Sequence, residues 1–131
     1  MPSLDANGVL RWLIGDVPAQ AEAVQRLMDG PDQLTVTDAC LLEVVFVMQG
    51  PYKLDRTQVA LALNAVLGES AFRVDVTLWQ GVIADYLEYP KLSVMDVYQA
   101  HKAQADSASP LYTFDRKLAN QQANAALIEA E

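Results

Sequence analysis

Hydrophobic and polar positions alternate along this chain between short apolar segments and longer stretches of helical period. Residues 2–5 predict a short strand, and residues 7–14 a helix stopped near Gly15. Asp16 is placed to cap a second helix, with Pro18 in its first turn, running to about Met28. Gly30-Pro31-Asp32 reads as a turn and residues 33–36 as a strand. Thr37 or Asp38 caps the next helix, which runs to about Met48 and meets Gly50-Pro51. Its valines favour a strand by propensity, but cap, length and stop agree on a helix, and an apolar character on nearly all sides predicts a buried one.

Asp55-Arg56-Thr57-Gln58 has the form of a capping box for a helix to about Leu67. A short strand over residues 72–74 precedes a helix capped by Asp75 or Thr77 and ending before Pro90. Ser93-Val94-Met95-Asp96 is a second capping box, for a helix to about Asp106. Residues 110–113 predict a strand, Asp115 a short helix, and residues 126–129 a last edge strand. Alternating strands and helices imply a parallel sheet covered on both faces. The expected fold is α/β: a three-layer α/β/α arrangement around a central parallel sheet of four or five strands, in a single domain over residues 1–131. Ligands of such sheets bind beyond the C-terminal strand ends, where Asp5 and Asp115 fall.

At 131 residues, with 52% hydrophobic and 20% charged positions, the composition is that of a water-soluble globular domain. No apolar run has the length of a membrane span, and no basic segment leads into a long apolar stretch as in a secretory signal. Cys40 is the only cysteine, so no intrachain disulfide forms, in keeping with a cytoplasmic location. The net charge of −8 argues against a general polyanion-binding surface. Setting aside four acids leaves 13 acidic against 9 basic residues, still acidic, so any polyanion contact must be local.

Those four are Asp5, Glu43, Asp96 and Asp115. Asp5 ends an apolar N-terminal segment, Glu43 interrupts the most apolar run, Asp96 opens a helical pattern and Asp115 closes Leu111-Tyr112-Thr113-Phe114. Carboxylates on apolar elements are costly unless paired, hydrogen-bonded or metal-bound. Two of them about 5 Å apart repel by roughly 3 kcal/mol at an effective dielectric of about 20. Hard divalent cations relieve that repulsion, lower the pKa of a water and stabilise a leaving oxygen. One histidine and one cysteine are too few for a zinc site of the usual nitrogen and sulfur type.

With these residues the chain resembles the PIN-domain nucleases, most closely the VapC-type toxins of toxin–antitoxin pairs. Asp5-Ala6-Asn7-Gly8-Val9-Leu10-Arg11 is similar to the family's opening Asp-Thr-Asn-x-Leu-Leu segment, and residues 37–43 to its Ser/Thr-to-Glu helix start. Asp96-Val97-Tyr98-Gln99-Ala100 resembles its Asp-Ala-x-x-Ala helix, and Leu111-Tyr112-Thr113-Phe114-Asp115-Arg116 its closing Thr-Phe-Asp motif. Each motif alone is weak; the four in order carry the resemblance.

The resemblance implies a metal-dependent endoribonuclease, with Mg²⁺ or Mn²⁺ held by Asp5, Asp96 and Asp115 and by Glu43, the last through a water or as the group orienting the nucleophile. Asn7, Thr113 and Thr37 would hold those carboxylates by hydrogen bonds. It further implies an RNA substrate, a small antitoxin protein covering the site, and a homodimer. Arg11, Arg116 and Lys117, close to the motifs, are candidates for phosphate contact. Ala6 departs from the family's threonine, and Gly8 from a branched apolar residue. The competing functional reading is a non-catalytic PIN-like module that binds RNA or protein. A phosphoacceptor receiver domain is disfavoured because no acidic pair follows the first strand and no lysine the last; a haloacid-dehalogenase-type phosphatase would need an aspartate where Asn7 stands.

Plainer roles stand beside these. Asp96 and Asp115 also read as helix caps, and Asp5 as a solvated chain end. His101 reads as a surface or packing histidine, Cys40 as a small buried side chain, and Trp12 and Trp79 as core or interface.

Overall fold

A computed structural model describes residues 2–130. Among them are seven helices and four short strands, and the chain divides into two compact units, Met1–Val76 and Thr77–Glu131.

The first unit holds α1 (Ala6–Ile14), α2 (Pro18–Met28), β1 (Leu34–Thr35), α3 (Asp38–Gln49), α4 (Arg56–Leu67) and β2 (Phe72–Arg73). Helix α1 packs against α2 and α3, and α3 against α4. The core is aliphatic, with Val9, Leu10, Leu41, Val44, Met48, Val59 and Leu63 buried. Caps set the helix starts. Asp5 accepts from Gly8 N, Thr37 from Cys40 N, and Asp55 and Gln58 close a complete capping box. Gly8 has a packing reason: a Cβ there would overlap the Leu4 side chain, so the departure from a branched residue lets the N-terminal segment lie over the first turn of α1.

The second unit begins with the rest of α5 (Val76–Glu88) and continues through α6 (Val94–Ala105), β3 (Leu111–Thr113), α7 (Arg116–Gln121) and β4 (Ala125–Leu127). Trp79 is wholly buried and stacks on Tyr98 at 5.4 Å between centroids. Helix α6 opens with the Ser93/Asp96 capping box, and Asp115 caps α7.

The expected central sheet of four or five strands does not form, so the three-layer α/β/α reading is corrected. The described residues contain two separate two-stranded parallel sheets, β1–β2 and β3–β4, in a helix-rich chain. The strand signals are present but truncated. The Gly30-Pro31-Asp32 turn and the Thr37 cap leave β1 only Leu34 and Thr35. The N-terminal segment predicted as a strand contributes one bridge, Ser3 to Thr35, with Leu4 N donating to Thr35 O at 2.9 Å. Beside β1 on its other edge lies β2, also two residues long. In the second unit the register runs from Leu111 opposite Ala125 to Thr113 opposite Leu127.

Two further expectations change. Asp16 does not cap α2, whose N-cap is Val17 without a side-chain bond; Pro18 in the first turn suits a helix start whose N–H groups lack partners. Helix α3 is not buried on all sides: Glu43 and Phe46, three residues apart, share an open face, and Phe46 is 75% exposed.

Candidate functional site

In the first unit, Asp5 is exposed at the start of α1, and its Oδ1 accepts from Gly8 N at 2.9 Å. The helix dipole favours a negative charge there. Glu43 projects from the exposed face of α3, so it carries no burial cost. Cys40, one helical turn before Glu43 on α3, has a buried thiol. Burial first, and then the negative charges of Asp5 and Glu43, push the thiol up to about 11. Thr37 is exposed and spent on capping α3, with Oγ1 accepting from Cys40 N at 3.2 Å; Asn7 is exposed in the first turn of α1.

In the second unit, Asp96 is half-buried and reciprocally bonded to Ser93: its Oδ2 accepts from Ser93 N at 3.1 Å, and its own N–H donates to Ser93 Oγ at 3.1 Å. Asp115 follows the C-terminal end of β3, and its Oδ1 accepts from Lys117 N at 2.9 Å and Leu118 N at 3.3 Å. Thr113 touches Asp115 through the backbone, its Oγ1 accepting from Asp115 N at 3.0 Å. That bond fixes the chain direction at Asp115 rather than the rotation of its carboxylate.

The basic candidates differ. Arg11 is held by a cluster of its own unit: Nε donates to Gln20 Oε1 at 2.8 Å, and Nη1 reaches Asp16 Oδ1 at 3.2 Å and Tyr52 Oη at 3.1 Å. Tyr52 in turn donates to Asp16 Oδ2 at 2.7 Å. The Tyr52 hydrogen bond first, with the Arg11–Asp16 attraction acting in the same direction, lowers the Asp16 carboxyl and raises the Arg11 guanidinium. Arg11 is therefore largely committed to structure, whereas Arg116 and Lys117 are exposed at the start of α7.

One pair went unread in the sequence. His101 of α6 lies with Nε2 at 2.6 Å from Asp85 Oδ2 of α5, and the ring donates because a carboxylate only accepts. A Cβ at Gly81 would stand 2.9 Å from His101 Cε1, so the glycine makes room for the ring. Gly81 and Asp85, four residues apart on one helix face, are the signal that could have revealed the pair.

No protein-family model matches the chain, and no curated protein matches it. The chemistry of the site rests on its own donors. Those donors suit a hard cation in kind: Asp5, Asp96 and Asp115 each engage one carboxylate oxygen with backbone N–H groups, leaving the second oxygen without a bond to a described residue. They do not gather in number: among the described residues, no three His, Cys, Asp or Glu side chains form a cation-holding group. No helix of the described residues is long and apolar enough to cross a membrane.

Proposed function

We propose that the chain is a metal-dependent endoribonuclease hydrolysing RNA phosphodiester bonds, the toxin component of a VapBC-type pair, with a small antitoxin and a second copy of itself as partners in the cytoplasm. What supports this reading most is that Asp5, Asp96 and Asp115 each engage one carboxylate oxygen with backbone N–H groups and keep the other without a bond to a described residue. A helix-capping role accounts for Asp5 but gives Glu43 no task, and Glu43 is the acid for which no cap explains the position.

A bound Mg²⁺ or Mn²⁺ would supply charge neutralisation at the phosphate and a water of lowered pKa. By the motif resemblance Asp5, Asp96 and Asp115 would hold it; within its own unit each has one carboxylate oxygen bonded to backbone N–H groups. By the same resemblance exposed Glu43 would orient a water, and Arg116 and Lys117, exposed at the start of α7, would meet the phosphate. Single-stranded RNA incubated with the protein and manganese is expected to be cut, with cutting lost on chelation and in Asp96→Asn. Cutting that persists unchanged with chelator or in Asp96→Asn contradicts the proposal.

The second reading, a PIN-like module that binds without cutting, is favoured by the lack of a three-residue cation-holding group among the described residues. RNA binding with no manganese-dependent cleavage selects it.

A further inference from the structure

We propose that Tyr112 and Phe114 form a stacking platform for two unpaired bases of single-stranded RNA, with Arg116 placed for the adjoining phosphate. The inference takes its ligand class from the ribonuclease reading and adds how the strand is held. Exposure alternates along residues 111–115: Leu111, Thr113 and Asp115 are half-covered, while Tyr112 and Phe114 are open. The two rings are 66% and 68% exposed, among the most exposed large apolar side chains of the described residues. Tyr112 lies in β3 and Phe114 in the bend that follows it, so two open rings stand two positions apart in the chain, each available to a base of its own.

A hollow of about 360 Å³ lies beside Phe114, walled by Leu127, Ile128, Arg116 and Glu129. A carboxylate in that wall disfavours a phosphate and accepts from the N–H edge of a base, so the hollow suits a base and the guanidinium suits the backbone. Asp115, the acid of the closing motif, stands between Phe114 and Arg116 in the chain, so a strand held here runs past it.

The charge balance favours this occupant's mode of binding. With a net charge of −8, the protein gains little from a general electrostatic attraction to a polyanion. Base stacking needs no positive field and tolerates any sequence, since every base has a π-face. An acidic nuclease that holds RNA by rings should therefore show a shallow salt dependence.

The test is fluorescence anisotropy of a labelled single-stranded RNA with the full chain, in chelator so that nothing is cut. Tyr112→Ala and Phe114→Ala are each expected to weaken binding roughly tenfold, Tyr112→Phe and Phe114→Tyr to preserve it, and an abasic strand to lose the difference. Unchanged affinity in both alanine variants overturns the proposal, as does wild-type protein that does not bind single-stranded RNA. So does an effect of the variants confined to self-association in sedimentation, which would assign the rings to a protein contact. Cleavage assayed separately in manganese keeps the two proposals apart. Ring-dependent binding without cleavage sinks the nuclease reading and keeps the platform; chelator-sensitive cleavage with ring-independent binding does the reverse.

Discussion

The two units hold their motif acids by different means. In Thr77–Glu131 both Asp96 and Asp115 stand at helix starts and spend an oxygen on backbone N–H groups. In Met1–Val76 only Asp5 does so, while Glu43 rides on the open face of α3, away from either helix end. A cap uses one oxygen of a carboxylate that has two, so capping and cation binding are compatible in a single residue. What separates them is substitution chemistry: asparagine caps a helix as well as aspartate but is a poorer cation ligand.

The packing contrast should give the largest effect. Trp79, wholly buried in the second unit, is expected to cost about 3–5 kcal/mol on truncation to alanine, read from urea unfolding by circular dichroism. Trp12 of the first unit, half-covered and edge-on to Phe72 at 5.0 Å, should cost distinctly less. Equal costs would remove the contrast between an interior and a marginal tryptophan.

A smaller effect sharpens the comparison of acids. Asp115→Ala removes an acceptor of two N–H groups and should destabilise by roughly 0.5–2 kcal/mol, whereas Asp115→Asn should retain most of it. Glu43→Gln, exposed and capping nothing, should fall within about 0.5 kcal/mol of wild type. A large loss in Glu43→Gln would show that Glu43 is structural and dissolve the distinction.

The smallest effect is a pH dependence. The folded Cys40 thiol keeps its proton to about 11, above its ordinary value of 9.0. Its contribution to stability is therefore complete below about pH 9 and lost as pH rises through about 11. The urea midpoint should fall over that window less steeply in Cys40→Ala than in wild type. Asp5→Asn and Glu43→Gln should each make the thiol easier to alkylate at the lower edge of the window, and unchanged alkylation would separate those acids from Cys40.

The helices were legible because their starts are written locally. Asp55 with Gln58, Ser93 with Asp96, and Thr37 before Cys40 each bond within four residues, and a sequence window of that width contains both partners. The sheet was not legible for the converse reason. Leu34 pairs with Phe72 and Leu111 with Ala125, and whether such ladders grow depends on distant pairing and on how many residues the turns and caps leave over. Asp16 misled in the same way: its role as a cap looked local, but Tyr52 of another segment claims it. Asp96 and Asp115 were legible as helix caps and Glu43 as the residue one turn after Cys40, whereas no local spacing announces the influence of Asp5 on the Cys40 thiol.

The most direct measurement is manganese titration, followed by the loss of the free-ion electron paramagnetic resonance signal, in wild type beside Asp5→Asn and Asp96→Asn, with helix content monitored in each. Saturable uptake by wild type and its loss in both variants, with helices intact, is the result expected if these capping acids are also cation ligands. Equal uptake by all three proteins, or none by wild type, would leave the carboxylates as caps alone and contradict the metal-dependent reading.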